Sequence, residues 1–325
     1  MDSTVLMTGA TGFIGKHLTR RLLGCGTRVI ALSRDARRAA RVLGPSVRTV
    51  TNLTELAADE RVDAIVDLAG AAIAGGLWTA RRKRLLLESR LAVRNALIEL
   101  AGRLRQKPTT WVAASAIGYY GVHDDDALLH EKSPPQPIFQ SQLCAAREAA
   151  AACASELGVK VAALRIGLVL GRDGGALPAL ARPVRYGVGM VLGSGAQWVS
   201  WIHVDDLVDL ILFVLEQKTL AGPINATAPA PVRHGELMHG IAAALGRRLL
   251  PVALPAAVLR ALLGELAQLF VDGQRVAPAR ATALGFKFRY PTIEPALRDL
   301  LASPSRPFAA TTSSSEPEAS GRATE

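Results

Sequence analysis

The 325-residue chain holds only three cysteines, Cys25, Cys144 and Cys153, scattered and without a C-x-x-C pair. No histidine stands at ligand spacing from them, which argues against a zinc site and against a disulfide framework; reduced thiols and no metal are expected. Long apolar runs are also missing. Arg, Asp or Gly interrupts every candidate before the roughly 18 residues that a membrane span needs, so no membrane association is expected. The chain enters an apolar stretch at about Thr4, which leaves no room for a charged lead, an apolar signal region and a cleavage site, and a cytoplasmic location is expected.

Aromatic residues make up 5% of the chain, and acidic residues are outnumbered, 28 against 38 Lys and Arg, for a formal charge of +10. Such a balance raises the question of nucleic acid. The basic residues, however, lie along helical faces (Arg20 and Arg21, Arg37, Arg38 and Arg41, Arg81 to Arg84, Arg247 and Arg248) without aromatic interleaving. A solvated basic surface is expected, with a local anionic ligand as the next choice and no nucleic acid.

What is present is half hydrophobic sequence in an alternating pattern. Apolar or β-branched runs at "STVLMTG", "RVIALS", "DAIVDLAG", "TTWVAAS", "KVAALRIGLVLG" and "GPINATA" alternate with segments of helical period. This predicts an α/β fold of Rossmann type, a doubly wound parallel sheet covered on both faces, with a small, mainly helical C-terminal region on the substrate side. The expected units are a nucleotide-binding domain over 1–230, a helical domain over 231–302 and a disordered polar tail over 303–325. From 171 to 201 a Gly- and Pro-containing stretch predicts an irregular lobe.

Directly after the first apolar run, "TGATGFIG" sets Gly9, Gly12 and Gly15 at intervals of three. Gly9 suits a sharp turn out of a strand, Gly12 lets the backbone approach a pyrophosphate, and Gly15 permits close packing of the helix whose dipole faces the phosphates. Thr8 and Thr11 add hydroxyls. At the end of the second strand, "ALSRDARR" offers Ser33 and Arg34 where a ribose 2′-hydroxyl would call for an acid. The guanidinium fork suits a 2′-phosphate, so NADP(H) is expected over NAD; the alternative turns Asp35 inward onto the ribose.

With "DLAGA", "SAIGYYG", "LRIGLVLG" and "WIHVDDL" added, the sequence resembles the extended or atypical short-chain dehydrogenase/reductases. "DLAGAAIAGGLWTARRKRLLLESRL", "LGSGAQWVSWIHVDDL" and "LGELAQLFVDGQRVAPARATALGFKF" narrow the resemblance to YfcH-like proteins of the NAD-dependent epimerase family that carry a C-terminal domain of unknown function, over about residues 4 to 300. The resemblance implies a small-molecule substrate of open identity and allows a homodimer. By position it implies that Gly9, Thr11, Gly12, Phe13, Ile14 and Gly15 hold the pyrophosphate, Ser33 and Arg34 the 2′-phosphate, and Leu68, Ala69 and Gly70 the adenine and ribose path. Ser89 and Arg90 fall on the family's Ser-Arg pair, and Arg90 joins the cofactor set.

The wider class works with a serine and a Tyr-x-x-x-Lys pair, the lysine lowering the tyrosine pKa. No Tyr-x-x-x-Lys occurs here. Aligning on Glu148 places Gln140 at the tyrosine and Cys144 at the lysine, and neither can do that work. The serine position falls on Ala116, with Ser115 one residue earlier. Arg147 stands where relatives commonly have Trp, and Gly76 and Leu77 replace a usual basic pair before Trp78. The remaining acid candidates are Tyr120 and Tyr119, which follow the fifth strand; Ser115 completes the catalytic set and also joins the cofactor set. Lys83 could supply the missing cation, but is read in preference as part of a polar helix face. His203 and Asp205 are expected to fix a helix start capped by Asp205 or Asp206, Cys144 to be a buried helix residue, and Asn225 a loop hydrogen-bonder. Arg165, Arg182 and Arg185 are assigned to the irregular lobe or its border as contacts for a diphosphate or carboxylate, with surface placement weighed equally for Arg182 and Arg185. Two functions from different classes follow: an NADP(H)-dependent oxidoreductase or epimerase acting on a carbinol or carbonyl, and a non-catalytic NADP(H)-binding regulator or scaffold.

Overall fold

The structure is a computed structural model that describes residues 3–250 and 253–302; the tail from Ser303 lies outside them. Strands β1 (Thr4–Thr8), β2 (Arg28–Leu32), β3 (Arg48–Val50), β4 (Ala64–Asp67), β5 (Thr110–Ala116), β6 (Lys160–Ile166) and β7 (Gly222–Ala226) form one sheet in the order β7-β6-β5-β4-β1-β2-β3. Every pairing is parallel. The order reverses between β1 and β4, which opens a crevice at the carboxyl ends of the strands.

Alternation along each strand sorts the core into two layers. Val5, Met7, Val29, Ala31 and Val66 enter one hydrophobic cluster with Leu18 and Leu22 of α1 (Phe13–Gly24). Leu6, Ile30, Ile65 and Trp111 enter the other. After α2 (Ala36–Leu43), the second layer is closed by α3 (Ala80–Arg103), through Leu97 and Leu100, and by α4 (Phe139–Ala152), through Ala151. Full burial on both faces explains why these runs read as continuous apolar stretches.

The stretch 171–201 is more regular than its composition predicts. It contains α5 (Leu177–Arg185), with a proline in its first turn and Pro183 near its end. A proline in the first turn forfeits no intrahelical bond, so the composition signals a loop where the backbone is helical. Arg165 is buried inside β6, within the run read as a strand, while Arg182 and Arg185 are exposed on α5.

Helix α6 (Val204–Glu216) packs beside α1 on the first layer. Its cap differs from expectation. His203 Nδ1 accepts from the backbone N–H of Asp205 at 3.0 Å, and Asp206 instead accepts the backbone N–H groups of Arg289 and Tyr290 at 2.7 and 2.9 Å. Burial pushes the His203 pKa down, which keeps the ring neutral and its Nδ1 an acceptor.

Helix α7 (His234–Ala244) precedes a C-terminal region with α8 (Ala256–Leu263), α9 (Gln268–Val271), α10 (Ala279–Ala283) and α11 (Ile293–Leu301). Leu237 and Ile241 of α7, Leu297 and Leu300 of α11, Leu177 of α5 and Trp201 share a third cluster. Ala281 and Phe286 reach into the first sheet layer, so the C-terminal region is packed onto the sheet unit. No helix among the described residues is long and apolar enough to cross a membrane.

Candidate functional site

The parallel register brings Thr8 level with Leu32 on one side and Asp67 on the other. The three residues that follow, Gly9, Ser33 and Leu68, therefore leave the sheet side by side. Gly9 turns at φ +69°, and a Cβ there would stand 2.8 Å from the Leu68 carbonyl carbon. Gly15 is more constrained, since a Cβ would meet Gly9 O at 2.3 Å and Ala10 O at 2.6 Å. Gly12 caps α1 without any side-chain acceptor, and the first turn holds no acid. The exposed N–H groups of that turn and the helix dipole are free for an anion.

A cleft of about 330 Å³ lies over this turn, lined by Gly9, Gly12, Phe13, Ile14, Gly15 and Leu68 and, across from them, by Gly167, Val169 and Ala176. Six of the residues expected to hold the cofactor thus share one cavity. Phe13 serves a second purpose: Cβ atoms on Gly171 and Gly174 would each lie 2.3 Å from its ring, so three glycines, Gly175 included, let the lobe close onto it. Thr8 is committed to structure, donating to Asp67 at 2.6 Å while accepting from Ala69 N–H at 3.1 Å. Thr11 makes no hydrogen bond among the described residues.

At the end of β2, Ser33 Oγ donates to Asp35 O at 3.2 Å, and the Asp35 carboxylate accepts from Arg38 N–H at 2.9 Å as the cap of α2. The Arg34 side chain is exposed and has no ion-pair partner among the described residues. Among the described residues of this edge, the one acid, Asp35, is therefore spent on a helix cap, and the free charge is basic.

Beneath Leu68–Gly70 lies a buried network whose partners the sequence did not reveal. Arg94 Nε donates to Asp67 at 2.8 Å, and its Nη atoms donate to the carbonyls of Ala114 and Arg147. Arg90 donates to Leu86 O and Ala71 O, so it holds the loop after β4 from below.

A second network occupies the ends of β5, β6 and β7. Arg165 grips Glu148 with two bonds, 2.8 and 3.0 Å, and Ser115 Oγ donates to the same carboxylate at 2.6 Å. Arg165 Nη1 also donates to the Tyr120 hydroxyl at 3.0 Å, which in turn donates to Asn225 Oδ1 at 2.6 Å. Tyr120 is fully buried, and burial pushes its pKa up. Its one proton is already engaged, as is that of Ser115. Tyr119 differs: the Arg165 guanidinium stacks 3.4 Å above its ring, the residue is half-buried, and its hydroxyl has no partner among the described residues. Gln140 and Cys144 are buried under Gly118, where a Cβ would lie 3.7 Å from Gln140 Cβ and 3.9 Å from Cys144 Sγ; burial also pushes the Cys144 thiol up. Lys83 is paired with Glu265 and lies over the Phe139 ring. Asn225 is a buried strand residue that joins Tyr120 to Ala277 O, where a loop position was expected.

Arg165 and Glu148 carry a signal in retrospect, because an arginine inside "KVAALRIGLVLG" is a charge in a buried strand and demands a partner. Tyr120→Phe is expected to cost about 1–3 kcal/mol by stranding Asn225 Oδ1 and one Arg165 hydrogen, with nucleotide affinity unchanged. Urea denaturation alongside a fluorescence titration reads both; a large change in affinity would place the hydroxyl in the nucleotide site.

The sequence profile of the NAD dependent epimerase/dehydratase family matches residues 5–226, and that of a domain of unknown function, DUF1731, matches residues 254–300. An Arabidopsis thaliana chloroplastic homolog of epimerase family protein SDR39U1 is 38% identical over 92% of this chain and 86% of its own length. Epimerase family protein YfhF of Bacillus subtilis is 35% identical over 92% and 98%. The crystal structure of human epimerase family protein SDR39U1 with NADPH superposes with a TM-score of 0.81 at 34% identity, covering 92% of this chain and 99% of that one. The chain belongs to the NAD dependent epimerase/dehydratase family, with a DUF1731 region at its C-terminal end.

Proposed function

We propose that this chain binds NADPH over the Gly9–Gly15 turn and acts as an NADP(H)-dependent oxidoreductase of the epimerase type on a small molecule bearing a carbinol or carbonyl. The observation that carries the reading is the edge of β2, where Asp35 is fixed as a helix cap and Arg34 stands unpaired. Arg34 and Ser33 would meet the 2′-phosphate, the α1 N-terminus the pyrophosphate, and Leu68, Ala69 and Gly70 the ribose path. Thr11 and Arg90 complete this set. The human relative, crystallised with NADPH, supports the same nucleotide. When bound, NADPH supplies a hydride; this chain's residues supply its position and, through Tyr119, the one free hydroxyl among the acid candidates, with Ser115 and Tyr120 as its frame. The nucleotide unit over 1–230, the helical domain over 231–302, a cytoplasmic location and a homodimer belong to the same proposal.

A second reading, a non-catalytic NADPH-binding regulator, is favoured by the engaged protons of Tyr120 and Ser115 and by the burial of Gln140 and Cys144. Both readings share the nucleotide. Titration of nicotinamide fluorescence with NADPH and NADH tests it: NADPH is expected to bind more tightly, and Arg34→Ala to weaken NADPH by about 10- to 100-fold, the equivalent of one charge-assisted bond, with NADH unaffected. Equal affinity for the two nucleotides in the unaltered protein would sink the assignment. Transfer of deuterium from 4-deuterated NADPH to a product then separates enzyme from regulator.

A further inference from the structure

Three arginines meet between α3 and α4 around a single carboxylate. Arg94 is satisfied, with Asp67 and two carbonyls as acceptors. Arg90 bonds two carbonyls through its Nη atoms, but its Nε is sealed from solvent with no acceptor. Arg147 is less provided for: its Nε is sealed without an acceptor, and its guanidinium donates no hydrogen bond to any described residue. The two residues are only 7% and 8% exposed.

The charge surrounding them does not balance. Asp67 is already held by Arg94 and Thr8, Glu148 is gripped by Arg165, and the buried Cys144 thiol is held in its neutral form. Desolvation, and then the charges of Arg94 and Arg90, pull the Arg147 pKa down to about 10, yet at neutral pH the group remains a cation. A buried cation without a counter-ion is among the costliest arrangements a fold can keep. Two of them with unused donors, one on α3 and one on α4, suit planar, doubly bonded recognition of an oxyanion. Gly70 is exposed and lies flat against Arg90: a Cβ at that position would stand 3.2 Å from both Nε and Nη2.

We propose that Arg90 and Arg147 together bind one oxyanion, the phosphate or carboxylate group of a small molecule that enters beside Gly70. The proposal goes beyond nucleotide binding by the glycine turn. The oxyanion has two sources, the nucleotide's own phosphates or a substrate's acidic group, and competition tells them apart.

The experiment is calorimetric titration of the full chain with inorganic phosphate and with malonate at constant ionic strength, with and without saturating NADPH, for the unaltered protein, Arg147→Leu and Arg147→Lys. Saturable binding is expected in the unaltered protein, weakened at least tenfold in Arg147→Leu and less in Arg147→Lys. The Tm of Arg147→Leu without ligand should be equal or higher, since an unpaired buried charge is gone; this separates lost binding from lost folding. Binding that persists with NADPH bound assigns the oxyanion to a substrate. Binding displaced by NADPH, with NADPH itself weakened in Arg147→Leu, assigns it to the nucleotide. No saturable binding, or the same binding in Arg147→Leu as in the unaltered protein, overturns the proposal. A chain that binds phosphate in this way but no NADPH keeps this site and loses the nucleotide assignment instead.

Discussion

Arg94→Met is expected to remove about 3–5 kcal/mol of stability, the range for breaking a buried pair by deleting one partner. The size follows from what is left behind. Asp67 is 2% exposed and would keep only the Thr8 hydroxyl as a donor, while the carbonyls of Ala114 and Arg147 would each lose theirs. The pair also ties α3 to the ends of β4 and β5, so its loss loosens the crevice from beneath. Methionine fills much of the volume, which isolates the charge and hydrogen-bond cost from that of a cavity. Urea denaturation should show a lower midpoint at unchanged slope. The double variant Asp67→Asn with Arg94→Met should recover part of the loss, because no uncompensated charge remains. A single-variant loss under about 1 kcal/mol would put the pair in the range of solvated ion pairs and show that water reaches it.

That pair also marks where the sequence stops being informative. The sheet was legible because both of its faces are buried: Val5, Leu6 and Met7 are apolar in succession, a pattern that a half-exposed strand would not keep. The glycine turn was legible because the demand lies in the backbone itself. Gly9 needs a positive φ and Gly15 has carbonyl oxygens where a Cβ would stand. The contacts that decide chemistry are of another kind. Tyr120 is separated by 105 positions from Asn225, which accepts its hydrogen bond, and no local pattern announces such a partner. Nor did "LPALARPVR" announce α5, since its two prolines read as breakers in sequence although one falls in the permissive first turn. Asp35 was ambiguous for the same reason: helix cap and ribose acceptor call for the same residue type, and only the bond to Arg38 N–H decides between them.

Gly12→Ala and Gly15→Ala are expected to lower NADPH affinity by more than about 100-fold each, by different routes that can be told apart. At Gly15 the added methyl would press on backbone, with Gly9 O at 2.3 Å, Ala10 O at 2.6 Å and Ala10 Cα at 2.7 Å. None of these can rotate away, so α1 must separate from the turn, at about 1–3 kcal/mol or more of stability. Its N-terminal N–H groups would then no longer converge on the pyrophosphate. At Gly12 the atom that a Cβ would approach among the described residues, its chain neighbours aside, is Gly9 O at 3.1 Å, and the backbone is at an ordinary φ of −73°. Alanine there should leave Tm within a few degrees of the unaltered protein, and its methyl would occupy the approach of the pyrophosphate to the backbone. Fluorescence titration and thermal denaturation of the two variants therefore predict a split: both lose the nucleotide, and only Gly15→Ala loses stability. If Gly12→Ala keeps its NADPH affinity, the pyrophosphate does not cross this turn; the cleft over Gly9–Gly15 would then serve another ligand, and the free Arg34 would need another partner.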